Sequence, residues 1–336
     1  MSTRRVTLVD VARAAGVSIT TVSRVINAGP HVREDVRARV RATVEDLGYE
    51  PNAVARSLRS GRDATIGVVV DSLADAFFAA FCHAIEQTAV DRGLAVTIGT
   101  SGRDPLRETG LVQRFLQRQV SALVLVPTGD LPSYLPWLRR STPTVFADRA
   151  VAVPGYDAVV GADLDGAVDA TRHLLAHGHR RIAFVGDATS VPTSRIRLQG
   201  YRRAMADADV EVDERLVVTG CSEPAEAEAV TRRLLTDADG PTAVFSSNLR
   251  CTTGLVRVLH AEDRTDVAVV GFGDFPLADV LSPAVTVIDQ DPHHLGVLCA
   301  ERLLARLDGD TAEPETTVLP VRLIPRGSGE IPCVLS

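Results

Sequence analysis

From residue 64 onward, short runs of apolar residues recur, each followed by a stretch with helical spacing. ATIGVVV (64–70), LAVTIG (94–99), SALVLVP (121–127) and TPTVFAD (142–148) form a first set. RIAFVGD (181–187), residues 215–219, TAVFSS (242–247) and VAVVGF (267–272) form a second. Helical spacing falls between them, at 77–92, 105–119, 163–176, 195–208, 224–236 and 248–260. Apolar runs without alternation read as strands buried on both faces, which a parallel sheet covered by helices provides. The expectation is an α/β fold with two doubly wound parallel-sheet lobes, divided near Ala162. The late strands VTVIDQ (285–290) and TTVLPVRLIP (316–325) let the chain cross between lobes more than once. Lobe one then takes about 61–162 and 291–320, and lobe two about 163–290 and 321–336.

The first sixty residues differ in kind. They hold ten Arg against six Asp or Glu, whereas the remaining 276 hold 26 Arg against 37 acids, for a net charge of −7. A basic head on an acidic body suggests one surface that meets a polyanion while the rest repels it. VTLVDVARAAGVSITTVSRVIN (6–27) reads as helix, glycine turn and helix, with a third helix at about 34–47. Leu8, Val11, Ala12 and Ala15 share one face, as do Val22, Val25 and Ile26, and then Val36, Val40, Val44 and Leu47. Residues 1–50 are therefore expected to form a three-helix head of the helix-turn-helix type.

The second helix is the expected reader. Ser18 caps it, Ile19, Thr20 and Thr21 open it, and Ser23 and Arg24 follow one turn on. Hydroxyls suit base edges or phosphates, Ile19 suits a thymine methyl, and Arg24 can fork onto guanine O6 and N7. Thr7 caps the first helix and joins the DNA-facing set with Asn27, placed to hold phosphate. Residues 51–60, PNAVARSLRS, are too short to hold a helix alone, so a helix there needs a second copy or DNA. Asn52, Ala55, Arg56, Leu58 and Arg59 are the candidate contacts of this hinge. Leu58 is the residue suited to wedge between base pairs in a minor groove. The plain alternatives are a protein-interaction domain followed by a polar linker.

TLVDVARAAGVSITTVSRVIN together with GYEPNAVARSLRSGRDATIGVVV resembles the LacI/GalR family of bacterial transcriptional regulators, and the likeness continues through the body. The resemblance implies that Ile19, Thr20 and Arg24 read a major groove. It also implies that Leu58 intercalates at the centre of a pseudo-palindromic operator in double-stranded DNA. A homodimer is implied, and the lack of a leucine heptad after Arg326 argues against a tetramer. Arg33 departs from the family, which often has Ser or Ala there, and leaves the third helix less well capped.

In doubly wound lobes, ligands bind outside the C-terminal ends of the strands. Asp71, Asp148, Asp187 and Asp274 stand at such ends, and acids there suit a ligand rich in hydroxyls or amines. Arg197 opens a helix, and Phe77 and Phe78 lie near the mouth of the first lobe. Helix capping or salt bridging is the alternative role for any one of these. SRIRLQGY, VFADR and ADAFF resemble the family's effector-site segments, which implies effector contacts for Arg197, Asp148, Phe77, Phe78 and Asn248, with Asp71 and Asp274 as further candidates. Two departures stand out. The family's Asp after the aromatic residue is replaced in Gly271-Phe272-Gly273-Asp274, and Cys221 falls where an aromatic platform is common.

No phosphate loop, nucleophile–base set or metal spacing is present in the sequence, so no catalytic residue, metal or cofactor is expected. His173, His177 and His179 suit capping and surface roles. Five scattered cysteines form no disulfide framework, and the N-terminus lacks an apolar signal segment, so a cytoplasmic protein is expected. The leading expectation is a DNA-binding regulator, of repressor type, controlled by a metabolite such as a sugar or sugar phosphate. Competing readings are an architectural or ligand-independent DNA-binding protein, a sugar-binding protein, and an enzyme acting on small sugars.

Overall fold

The structure, a computed structural model, describes residues 6, 8–26, 31–47, 63–138, 142–152, 154–237 and 239–333. The chain forms two compact units, 1–63 and 64–336. Thr7, Asn27 and the hinge candidates Asn52, Ala55, Arg56, Leu58 and Arg59 lie outside the described residues.

In the first unit, helices α1 (Leu8–Ala15), α2 (Ile19–Ile26) and α3 (Glu34–Asp46) enclose a small core. Val11, Ala12, Ala15, Val22, Val25 and Val40 fill it, and Leu8, Ile26, Val36 and Val44 pack around them. Gly16 ends α1 at φ +64°, and the next amide, Val17, bonds back to Ala12 O at 3.1 Å. That left-handed stop is where glycine costs least, and a β-carbon there would cost about 1 kcal/mol. Ser18 then caps α2, its Oγ accepting from the Thr21 amide at 3.1 Å. Leu47, expected inward, is 37% exposed. It is the C-cap of α3, past the last turn, so the apolar stripe leaves the core at Val44. The N-cap of α3 is Arg33, whose side chain makes no capping bond and pairs with Asp35 at 3.2 Å.

The second unit contains two six-stranded sheets. Lobe one is built from β1 (Asp63–Val70), β2 (Ala95–Thr100), β3 (Val120–Leu125), β4 (Thr144–Ala147), β5 (Asp157–Gly161) and β11 (Thr316–Leu319). Their order is β2-β1-β3-β4-β5-β11, parallel throughout. Helices α4 (Ala76–Val90) and α10 (Pro292–Leu307) cover one face, and α5 (Pro105–Gln117) covers the other.

Lobe two repeats the plan with β6 (Ile182–Val185), β7 (Val217–Val218), β8 (Ala243–Ser246), β9 (Ala268–Phe272), β10 (Thr286–Asp289) and β12 (Arg322–Ile324). The order is β7-β6-β8-β9-β10-β12, with only β12 antiparallel. Helices α6 (Asp163–Ala176) and α7 (Pro192–Asp207) pack on one face, α8 (Pro224–Thr236) and α9 (Leu249–Ala261) on the other.

Two expectations need correction. The stretch 316–325 is two strands, one in each lobe, because Pro320 has no amide to donate and breaks the ladder where the chain crosses over. Strand β5 was not expected from the sequence: DAVVG offers three apolar residues behind an Asp, too short a signal. The chain passes between the sheets near residues 162, 290 and 320. These passages bring the C-terminal ends of both sheets together, and in each lobe the strand order reverses beside the first strand. That reversal is where doubly wound sheets leave a crevice.

Candidate functional site

The head presents one face of α2 outward. Val22 and Val25 are buried, which on a helix of 3.6 residues per turn points their neighbours away from the core. Ile19 is 49% exposed, Ser18, Thr20 and Arg24 are exposed, and Thr21 and Ser23 are half-buried. Ser18 Oγ lies 2.8 Å from Thr21 Oγ1, so these two hydroxyls are held together at the helix start. An apolar tip, hydroxyls and a guanidinium on one helix face provide the groups that read base edges.

In the second unit the strand ends of both lobes converge on one cleft, with about 590 Å³ of empty space including its open mouth. Lobe one supplies Asp71, Arg103, Asp148 and Arg149 from loops after strands, and Asp75, Phe77 and Phe78 from the start of α4. Lobe two supplies Asp187, Thr193, Ser194 and Arg197, then Ser247, Asn248, Leu249 and Arg250 around the start of α9, and Phe272 and Gly273 after β9. Gln290 comes from the crossover. The structure thus brings Asp71, Phe77, Phe78, Asp148, Arg197 and Asn248 into one cleft.

Asp274 does not belong to it. Gly273, at φ +98°, turns the chain, and the Asp274 carboxylate takes both Arg326 guanidinium nitrogens at 2.7 and 2.6 Å. That hydrogen bonding holds the Asp274 carboxyl below the usual carboxylate range. Cys221 is likewise absent from the lining, buried in the core between β7 and α9. The sequence reading also passed over Asp75, Arg103, Arg149, Ser247, Arg250 and Gln290. Arg149 was findable as the neighbour of Asp148, and Arg103 as the residue just past β2. The others depend on which loops fold over the mouth.

Deep in the cleft, Arg149 joins three groups. Its Nη2 donates to Asp71 Oδ2 at 2.8 Å, its Nη1 to the Pro127 carbonyl at 3.1 Å, and its Nε sits 3.3 Å from Asp148 Oδ2. Burial works against this charge, but Asp71 and Asp148 more than offset it and raise the guanidinium's pKa. Arg197 donates from Nε to Asp163 Oδ1 at 2.8 Å and from Nη1 to the Ser247 carbonyl at 2.7 Å. Its guanidinium carbon also lies 3.8 Å from the centre of the Phe272 ring, a cation–π contact.

Asp148 combines burial with a left-handed backbone. It is 6% exposed and holds φ +63°, a backbone conformation that costs about 1–3 kcal/mol for a residue with a side chain. Burial pushes its carboxyl up to about 6, against the pull of Arg149. The Ser247 hydroxyl, also buried in the lining, has no hydrogen-bond partner. Strained backbone, a desolvated carboxyl and an idle hydroxyl mark a place built for something polar.

At the rim, lobe is tied to lobe. Arg103 donates to Asp187 and to the Ser222 carbonyl across the mouth. Arg250 approaches Asp75 at 3.6 Å and Glu223 at 3.3 Å, and Arg195 takes both oxygens of Asp130 at 3.0 Å.

Two linked lobes closing on a polar cleft, preceded in the chain by a helix-turn-helix head, define a DNA-binding regulator with a small-molecule sensor. Residues 7–52 match the family described as bacterial regulatory proteins of the lacI family, and residues 171–329 match the periplasmic binding protein-like domain. Similar proteins include the ribose operon repressor of Escherichia coli strain K12, 32% identical over 96% of this chain and 99% of that protein. The regulator GalR of the same organism is 32% identical over 97% of this chain and 96% of its own length. Among solved structures, the lac repressor dimer bound to operator and an anti-inducer superposes with a TM-score of 0.87. It is 28% identical, covering 97% of this chain and 99% of that one. The chain belongs to the LacI family: it is a transcriptional regulator that binds DNA through its head and is controlled by a small molecule. Among the described residues no helix is long and apolar enough to cross a membrane.

Proposed function

We propose that the cleft takes a small, uncharged, hydroxyl-rich ligand of about monosaccharide size. We further propose that its binding changes the lobe-to-lobe contacts and thereby the affinity of a homodimer for a pseudo-palindromic operator. The observation that carries the ligand class is the charge arrangement. Asp71, Asp75, Asp148, Asp163 and Asp187 face Arg103, Arg149, Arg197 and Arg250, leaving one acid in excess. Each Arg already has a protein carboxylate, so none waits for a phosphate. Asp148 and Ser247 remain to accept from and donate to hydroxyls, and Phe77, half-buried in the lining, offers an apolar face to a sugar ring. Similar proteins include a ribose operon repressor and a regulator solved with cellobiose, which agrees in class.

The test is calorimetric titration of the full chain with separate pools of pentoses, hexoses, polyols, sugar phosphates and nucleobases. Heat from a neutral polyol or sugar pool is the expected result, followed by a change in operator affinity with that compound. Binding confined to sugar phosphates or nucleobases would overturn the charge argument. An operator affinity that no bound compound alters would favour a ligand-independent DNA-binding protein.

A further inference from the structure

One guanidinium at the rim leaves its own lobe altogether. Arg103 follows β2 in a tight turn, where Gly102 and Arg103 are both left-handed, at φ +61° and +62°. The turn is pinned within lobe one. The Gly102 amide bonds to Asp71 O at 2.9 Å, and the Arg103 amide to Ser101 Oγ at 3.3 Å. Asp104 then caps α5 through the Leu106 amide at 2.8 Å. A left-handed residue with a long side chain, held on both sides, is the kind of backbone found at ligand clamps.

Among the described residues, every side-chain bond of Arg103 runs to lobe two. Nη1 donates to Asp187 Oδ2, Nη2 donates to the Ser222 carbonyl, and Nη2 lies 3.8 Å from Glu223 Oε1. The Arg103 and Asp187 side chains are 13% and 12% exposed, so solvent screens the pair weakly.

These acceptors are held in place by lobe two itself. Asp187 Oδ1 takes the Ala188 amide at 2.8 Å and the Ser222 hydroxyl at 3.2 Å, which leaves Oδ2 to the guanidinium. The Ser222 and Glu223 amides donate to Glu226 Oε2 at 2.6 and 3.0 Å. Arg250 Nη1 donates to the Ser222 carbonyl and to Glu223 Oε1, each at 3.3 Å. The other ties across the mouth are weaker. Arg195 and Asp130 have side chains 37% and 44% exposed, where an ion pair contributes little. Arg250 reaches Asp75 only at 3.6 Å and keeps its lobe-two partners when the lobes part. Arg103 then loses all of the side-chain partners named above.

We propose that Asp187, the Ser222 carbonyl and Glu223 form a guanidinium socket on lobe two, and that Arg103 occupies it as the latch of the closed cleft. A planar fork meeting a carboxylate and a carbonyl selects guanidinium over ammonium. With Arg103 removed, the socket takes a small external guanidinium compound. The latch rests on the function proposed above only where it reaches operator affinity, and the socket is independent of which ligand the cleft takes.

Two measurements on the full chain test it. Amide hydrogen exchange compares segments 71–78 and 187–197, which contribute to the cleft lining, with the core strand Val120–Leu125. Arg103→Ala should speed exchange in the cleft segments about tenfold and leave the core strand unchanged. Asp187→Asn, which keeps the turn and Arg103, should open the same segments, and both changes together should add nothing further. Saturation-transfer NMR then follows methylguanidinium, which should bind Arg103→Ala saturably but neither the wild type nor the double variant. Unchanged cleft exchange, additive effects, or equal loosening of the core strand would each overturn the latch. Equal binding of methylguanidinium to all three proteins, or of methylammonium to Arg103→Ala, would overturn the socket. Opened lobes with unaltered operator affinity would uphold the latch and count against the coupling proposed above.

Discussion

Replacing Asp148 with Asn converts the most strained charge of the cleft into a measurable pH effect. In the folded chain its carboxyl titrates at about 6, against 3.8 for the ordinary group. The folded protein therefore holds this proton at pH values where the unfolded chain has lost it. Stability then falls as pH rises through the interval from about 4 to about 6, and is flat above it. At about 1.36 kcal/mol per pH unit, the loss comes to about 3 kcal/mol. Asn carries no such proton, so the wild type loses about 3 kcal/mol relative to Asp148→Asn between pH 4 and pH 7. Urea unfolding measures it, followed by the fluorescence of Trp137, the chain's single tryptophan and part of the same lobe. The difference between the two proteins cancels the titration of groups remote from Asp148, leaving Asp148 and the neighbours it interacts with, Asp163 first among the acids. A wild-type-minus-variant difference that stays constant with pH, or grows in favour of the wild type, refutes the account of Asp148 as a buried, desolvated acid.

Arg197→Ala leaves Asp163 buried without its partner and should destabilise the second unit by about 3–5 kcal/mol, with Asp163→Asn recovering part of the loss; a double-mutant cycle in urea checks it, and additive effects would break the pairing argument. Asp274→Ala should leave ligand affinity within about twofold, since its carboxylate serves Arg326; a tenfold loss by calorimetry would return Asp274 to the cleft. Arg24→Ala should cost about 1–3 kcal/mol of operator binding and relax base preference at one position, read by competition binding at fixed salt. Leu58→Ala should weaken specific binding and reduce DNA bending, and unchanged bending by gel mobility would end the intercalation reading.

Much of this protein was legible in its sequence because the relevant signals are local. Periodicity alone distinguishes the apolar runs of the sheets from the helices between them, since burial on two faces leaves no alternation. The stripe Val11, Ala12, Ala15, the left-handed stop at Gly16 and the cap at Ser18 are written within a dozen residues. Strand ends followed by Asp marked Asp71 and Asp148 as cleft residues, because doubly wound sheets always open there. What the sequence left undetermined depends on neighbours far along the chain. Asp274 sits at a strand end as Asp71 does, yet Arg326, 52 residues away, claims it once Gly273 turns the backbone. Arg103 and Arg250 belong to different lobes and share the Ser222 carbonyl only because three crossovers fold one sheet's end against the other's. The sequence placed Asp148 in the cleft but not its raised pKa, which comes first from desolvation and then from the nearby Asp163 and Asp71 charges. Composition and period fix which residues pair with their near neighbours; electrostatics in a buried site is set by distances through space, and those exist only after the chain has closed.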